Sequence, residues 1–243
     1  MLKIYQESLI LRTCNCDFKG DWRPSAILET MQEVSGAHSE LLGCGRNALL
    51  KNNIVWVLSR SQVEMLEYPK VTDHITVETF PMPNRRWFFP RYFLFKNQEG
   101  KTLGYAGTLW VLMDINTRKM LPPGDVAACI PDNSDLTAPM TLPGTVDMLE
   151  GDTEIFSRLP QYTDLDVNGH VNNTRYADWA CDALGIETME NHCLKSLLIN
   201  YSAEILPHQE MQLHVTRTEN QFRVAGYHNE KMHFELSGQL EKR

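Results

Sequence analysis

Nowhere in the 243 residues does an uncharged apolar run reach the roughly 18 residues that a membrane-spanning helix needs. The N-terminus has no long apolar core and no small-residue cleavage site. MLKIYQESLILRTC instead alternates like a strand, so a cytoplasmic location is expected. Basic residues are the minority, 23 Lys and Arg against 31 Asp and Glu, for a formal net charge of −8. That balance argues against nucleic-acid binding, which normally rests on a basic excess, while leaving room for a local basic patch. The six cysteines (Cys14, Cys16, Cys44, Cys129, Cys181 and Cys193) contain no Cys-x-x-Cys pair, and Cys14 and Cys16 are too close to chelate well alone. Reduced structural thiols are expected, with no metal. Neither a glycine-rich phosphate loop nor any other cofactor motif occurs, so no cofactor is expected.

What is present is a plan repeated twice. Hydrophobic residues make up 42% of the chain, enough for one large domain or two small ones. After the N-terminal strand, Pro24 opens a long one-sided helix on which Ile27, Leu28, Met31, Val34, Ala37, Leu41 and Leu42 recur at three- and four-residue spacing, with Gly43 as its stop. Strands follow at NIVWVLSRSQVEML, HITVETF, RRWFFPRYFLF and LGYAGTLWVLMDI; Pro90 inside the third predicts an edge position or a bulge. The Pro-, Asp- and Thr-rich stretch 121–150 reads as a linker. The plan then restarts with a strand at TEIFSRL, an amphipathic helix over Thr174–Leu184 ended by Gly185, and strands at KSLLINYSAEIL, MQLHVTRT, QFRVAGYH and KMHFELSGQL. Residues 1–120 and 151–243 are thus expected to form two halves of α+β class, each a helix packed on a curved antiparallel sheet.

The entrance to the second helix, TDLDVNGHVNNTRYADW (163–179), concentrates polar groups on nearly every second residue. One Asn suffices to cap a helix, and Asn172 or Asn173 can do so, which leaves Asp166, Asn168 and His170 unexplained. Set against it, the first helix is preceded by Asp21-Trp22-Arg23-Pro24-Ser25, so the constellation occurs once per chain. Two readings stand: a solvated capping loop, or a catalytic loop. In the second, Gly169 lets backbone and substrate approach, Asn168 orients a water or a carbonyl, and His170 passes protons near neutral pH. Asp166 fixes the imidazole or acts on a carbonyl, and the amides of the helix N-terminus receive developing negative charge.

Leu165-Asp-Val-Asn-Gly-His-Val-Asn-Asn-Thr-Arg-Tyr176 resembles the signature of the acyl-acyl-carrier-protein thioesterases, Leu-Asp-x-Asn-x-His-Val-Asn-Asn-x-(Lys/Arg)-Tyr. Two further segments, NIVWVLSRSQVEMLEYP and LWVLMDINTRKMLPP, resemble that family's first-half strands in the right order. The resemblance implies a tandem hotdog fold and hydrolysis of fatty acyl thioesters. It implies Asp166, Asn168 and His170 as catalytic residues and Glu204, in Ile199-Asn-Tyr201-Ser-Ala-Glu-Ile205, as a further acid on the strand after the helix. Plant members carry Cys where this chain has Ile205, a departure that counts against a cysteine nucleophile. Covalent attack by Asp166 and general-base attack through Glu204 both remain open.

The same resemblance implies that the first half shapes the acyl pocket, with Trp56, Met31 and Val34 as candidates, and that Gly169, Val171, Asn172 and Asn173 meet the substrate at the catalytic loop. The expected partners are an acidic acyl carrier protein and, in a homodimer, a second copy of the chain. Arg85, Arg86, Arg91, Arg175 and Lys195 are the candidate docking cations. Rival readings are an acyl-CoA thioesterase, a hotdog dehydratase, which Asn168 and His170 fit less well, and a non-catalytic acyl-thioester binder.

Overall fold

The computed structural model describes all residues, Met1–Arg243. The chain divides into two compact units, Met1–Arg23 with Ile27–Pro143, and Gly144–Arg243 with Pro24–Ala26.

In the first unit, β1 (Tyr5–Ile10) leads into a short 3-10 turn and then α1 (Pro24–Leu41), where Pro24 sits in the first turn and needs no N–H partner. Gly43 follows with φ +79°, the left-handed conformation that ends helices. The short α2 (Arg46–Leu50) precedes β2 (Ile54–Met65), β3 (His74–Pro81), β4 (Phe89–Asn97), β5 (Thr102–Asp114) and the two-residue β6 (Met120–Leu121). Pairing is antiparallel throughout in the order β1-β3-β4-β5-β2, with β6 on β5. Ile27, Leu28, Met31 and Val34 of α1 are buried, as are Val77, Phe93 and Phe95 of the sheet. Trp22 meets Phe95 edge-on at 5.3 Å. Burying each such side chain contributes about 1.5–3 kcal/mol.

Pro90 departs from expectation. β4 is an interior strand paired on both sides, by β3 and by β5. The Pro90 carbonyl accepts from the Met82 N–H, so the missing donor faces the side on which β3 has just ended at Pro81. The sheet loses no ladder bond and needs neither an edge nor a bulge at that residue.

The second unit repeats the order of elements. β7 (Thr153–Arg158) is followed by a 3-10 turn, α3 (Arg175–Leu184), the short α4 (Ile186–Asn191), β8 (His192–Tyr201), β9 (Met211–Arg217), β10 (Gln221–His228) and β11 (Lys231–Lys242). The antiparallel order is β7-β9-β10-β11-β8, the same permutation as in the first unit. The helix is much shorter here, because Gly185 at φ +87° breaks the chain into α3 and an unforeseen α4. Trp179 and Tyr176 face the sheet, with the Tyr176 ring stacked on Phe234 at 4.2 Å. Both units therefore have the hotdog arrangement, one principal helix against an antiparallel sheet of five main strands, to which the first unit adds the short β6.

Candidate active site

The loop between the 3-10 turn Tyr162–Asp164 and α3 is built from its own backbone and one carboxylate. Asp166 N–H donates to the His170 carbonyl at 2.8 Å, and Gly169 N–H donates to the Asp166 carbonyl at 3.0 Å. Gly169 holds φ +76°, where a side chain would be strained. Asp166 Oδ1 accepts from the N–H groups of Asn168 (2.8 Å) and His170 (3.3 Å), while Oδ2 accepts from the Asn168 amide at 3.2 Å. The carboxylate therefore orders the loop and orients Asn168.

The first unit contains the same loop, at Asp17–Asp21. Asp17 Oδ1 accepts from the N–H groups of Lys19 (2.8 Å) and Asp21 (3.0 Å). Asp17 N–H donates to Asp21 O at 2.8 Å, Gly20 N–H to Asp17 O at 3.0 Å, and Gly20 has φ +81°. The correspondence drawn from sequence, Asp21 through Ser25, is thus displaced: Asp17 matches Asp166, Lys19 matches Asn168 and Asp21 matches His170. The chemistry-bearing set still occurs once, since the first copy holds Lys and Asp where the second holds Asn and His.

Glu204 reaches the loop from the other side. The sequence places it on the strand after the helix, but β8 ends at Tyr201 and Glu204 lies in the turn beyond. Val171 N–H donates to Ile205 O at 2.9 Å, which ties that turn to the loop. The His170 Nδ1 to Glu204 Oε2 distance is 3.4 Å, with both side chains partly open to solvent. Tyr176, buried below, has its phenol pushed up by burial first and then by the charges of Tyr201, Asp166 and Glu204. Both carboxylates are thus within electrostatic reach of a single side chain.

Most amides at the helix entrance are already engaged. N–H groups of His170, Val171, Asn172, Thr174 and Arg175 all donate within the protein, to Asp166, Ile205, Asp164 and Asn172. Those five are not ready donors for an oxyanion. Neither expected Asn caps α3, whose N-cap is Thr174 without a side-chain cap bond; Asn172 Oδ1 instead accepts from the N–H and the hydroxyl of Thr174 at 3.0 Å, closing the turn before the helix. Asn173 is partly buried beside it, and Val171 is buried.

The remaining candidates divide. Met31 and Val34 lie in the first unit's core at 2% and 1% exposure. Trp56 is partly buried there, against Phe89 and bonded through Nε1 to the Cys44 carbonyl. Arg85 and Arg86 are exposed in the turn before β4. Arg91 is not a surface cation: it is 5% exposed and donates to His38 Nδ1 (3.1 Å), Thr79 Oγ1 (3.2 Å) and Ser39 Oγ (3.3 Å). The pattern of alternation could have shown it, since Arg91 shares a strand with buried Phe89 and Phe93. Arg175 pairs with Asp178 at 2.9 Å. Lys195 pairs with Glu241 on the far part of β8, roughly 20 Å along the strand from Tyr201. No group of three His, Cys, Asp or Glu side chains is placed to hold a metal ion.

Buried Asp164 was missed by sequence reasoning. It accepts from Trp179 Nε1 at 3.2 Å and from Gln161 N–H at 2.7 Å, anchoring the loop to α3. Buried His233, in β11, was also missed, and nothing in KMHFEL marks it.

Family models of the acyl-ACP thioesterase N-terminal domain and C-terminal domain match residues 2–126 and 151–241. The chain belongs to the acyl-ACP thioesterase family. A palmitoyl-acyl carrier protein thioesterase of Arabidopsis thaliana is 30% identical over 74% of this chain and 48% of its own length. An oleoyl-acyl carrier protein thioesterase of Coriandrum sativum is 26% identical over 82% of this chain and 59% of its own. The chain thus spans about half the length of the plant relatives it matches. The crystal structure of an acyl-ACP thioesterase from Bacteroides thetaiotaomicron superposes with a TM-score of 0.88 at 26% identity, covering 98% of both chains. A 12:0-ACP thioesterase from Umbellularia californica shares the fold, with a TM-score of 0.84 at 20% identity over 99% of this chain and 98% of its own.

Proposed function

We propose that the protein hydrolyses the thioester of a fatty acyl chain carried on an acyl carrier protein, releasing free fatty acid and ending elongation. The observation that carries this reading is the pairing of His170 with Glu204 at 3.4 Å across an acyl-ACP thioesterase C-terminal domain. Membership of the family and the named activities of its plant and bacterial relatives support it.

Glu204 acts as the base. With its carboxylate against the imidazole, it takes a proton from water as the oxygen attacks the thioester carbonyl. The carbonyl becomes a tetrahedral oxyanion, stabilised by the Asn168 amide that Asp166 orients, since the N–H groups of His170, Val171 and Asn172 are engaged within the protein. The proton taken by Glu204 passes through His170 to the departing thiolate as the carbon–sulfur bond breaks, giving carboxylic acid and thiol and leaving both side chains as they began. Asp166, committed through both oxygens to the loop, is scaffold in this scheme rather than nucleophile. No metal or cofactor has a role, and water is the co-substrate.

The half 1–120 is taken as the acyl-binding half, around Trp56, Met31 and Val34, with 121–150 as linker and 151–243 as the catalytic half. Arg85, Arg86 and Arg175 are the docking cations that stay in the proposal, facing an acidic carrier protein. Six free cysteines suit a reducing cytoplasm. Homodimerisation remains part of the reading of partners.

The test is free fatty acid release from a panel of acyl-carrier-protein thioesters and the matched acyl-CoAs, with His170→Ala as control. Rapid release from the carrier protein that disappears in His170→Ala is the expected result. Release confined to CoA substrates replaces the carrier-protein assignment with an acyl-CoA thioesterase, and no release from either overturns the reading.

A further inference from the structure

Glu204 sits where no regular element holds it. β8 has ended at Tyr201, and β11 pairs with it only as far as Phe234 opposite Tyr201. A general base in a turn needs something to fix its backbone, since an error of about 1 Å at the reacting groups can cost on the order of a hundredfold in rate.

One residue supplies most of that restraint. The carbonyl of His233 accepts from both the Ser202 N–H and the Ala203 N–H at 2.9 Å. The His233 ring nitrogen Nδ1 lies 2.8 Å from the carbonyl oxygen of Glu204. A carbonyl only accepts, so Nδ1 carries the hydrogen and donates. His233 thus holds three consecutive residues, Ser202, Ala203 and Glu204, and its imidazole extends the strand pairing around a corner where the ladder stops. The next residue, Ile205, is pinned from the opposite side by Val171.

The ring itself is well fixed. His233 is 3% exposed and meets the His228 ring edge-on at 6.2 Å. Phe234, the following residue, is stacked on Tyr176 of α3. Burial, with lesser contributions from the charges of Lys231 and His228, lowers its basicity, against the opposing effects of Glu204's carbonyl and charge. A neutral ring still donates through Nδ1, so the restraint does not depend on a proton taken from solvent.

We infer that His233 is a positioning residue, whose Nδ1–H to Glu204 carbonyl bond sets the distance between the Glu204 carboxylate and His170. This rests on the proposed role of that pair, of which the His233 ring touches only the Glu204 backbone carbonyl.

The test compares His233→Asn, whose side-chain amide can present N–H near the Nδ1 position, with His233→Leu, which presents none. Both variants lose ring packing, so a similar fall in Tm is expected from both. The positioning role predicts kcat lowered by about 10- to 100-fold in His233→Leu, KM within about twofold, and most of kcat regained in His233→Asn. A second readout does not require turnover: the imidazole 15N signals of His170, compared among the parent, Glu204→Gln and both His233 variants. They should move toward the Glu204→Gln pattern in His233→Leu and stay near the parent in His233→Asn. Equal kcat losses in the two variants that follow Tm, or His170 signals unchanged in His233→Leu, overturn the inference. If the parent hydrolyses no thioester while the His170 signals respond to Glu204→Gln and, of the two His233 variants, to His233→Leu alone, the proposed reaction fails and the positioning stands.

Discussion

Asp17 and Asp166 occupy the same place in two copies of one loop, each using Oδ1 to accept from the backbone N–H groups two and four residues ahead. Only the second copy has His and Asn at the positions it organises. A carboxylate that performs this task in a copy without the His170–Glu204 counterpart has a sufficient structural reason to be there.

From that relationship, Asp166→Asn and Asp166→Ala should differ. Asparagine keeps the Oδ1 acceptor for the backbone and gives up the bond from Asn168, so a loss of about tenfold in kcat is expected. Alanine removes the whole turn and should cost on the order of a hundredfold or more. Steady-state kinetics of the two variants decide it. If asparagine is as damaging as alanine, the negative charge of Asp166 takes part in the reaction.

Glu204 and His170 are expected to act as one unit. Glu204→Gln should lower kcat by roughly 10²- to 10⁴-fold, the usual size of a lost general base. Adding His170→Ala should then cost far less than it does alone, because groups that share one proton path are non-additive. Independent, multiplying losses in the double variant would separate the two roles. Unchanged turnover in Glu204→Gln would remove it as the base.

Stability in acid should be set in part by His38. This ring is wholly buried, accepts from Arg91 at Nδ1 and faces the Leu2 carbonyl through Nε2, so it is neutral. Burial first, then the Arg91 charge, lowers its pKa to about 4 from 6.5. The unfolded chain binds a proton below 6.5 that the folded chain refuses until about 4, so stability falls with decreasing pH across that window. At about 1.4 kcal/mol per pH unit the loss sums to about 3 kcal/mol. Urea midpoints at the two ends of the window should drop for the parent and less for His38→Gln. Parallel drops would exclude His38 as the source.

How much of this was legible depends on the kind of interaction. The α1 face from Ile27 to Val34, the glycine stops and most strands follow from periodicity and backbone chemistry, which are local; Leu41, at the helix end, keeps the spacing but is exposed. The duplicated plan was visible, but the register of the duplicated loop was not. Both copies carry Asp-x-x-Gly, at Asp17–Gly20 and Asp166–Gly169, but so short a match is easily passed over, and comparison by position before the helix shifted it to Asp21–Ser25. Arg91 illustrates the opposite error. A cation beside exposed arginines reads as surface, whereas strand alternation turns it inward, where neutral acceptors from α1 and β3 receive it.

By itself the sequence determined that Asp166, Asn168 and His170 would lie together, because they are held by one short loop whose turn needs only Gly169 and a carboxylate. It also determined that two helix-and-sheet units would form, since apolar spacing dictates which faces are buried. Only the tertiary structure decided that Glu204 leaves its strand and comes within 3.4 Å of His170. That distance depends on Val171, Ile205 and His233, hydrogen-bonded partners far apart in the chain, and no local pattern encodes where strand β11 will present an imidazole.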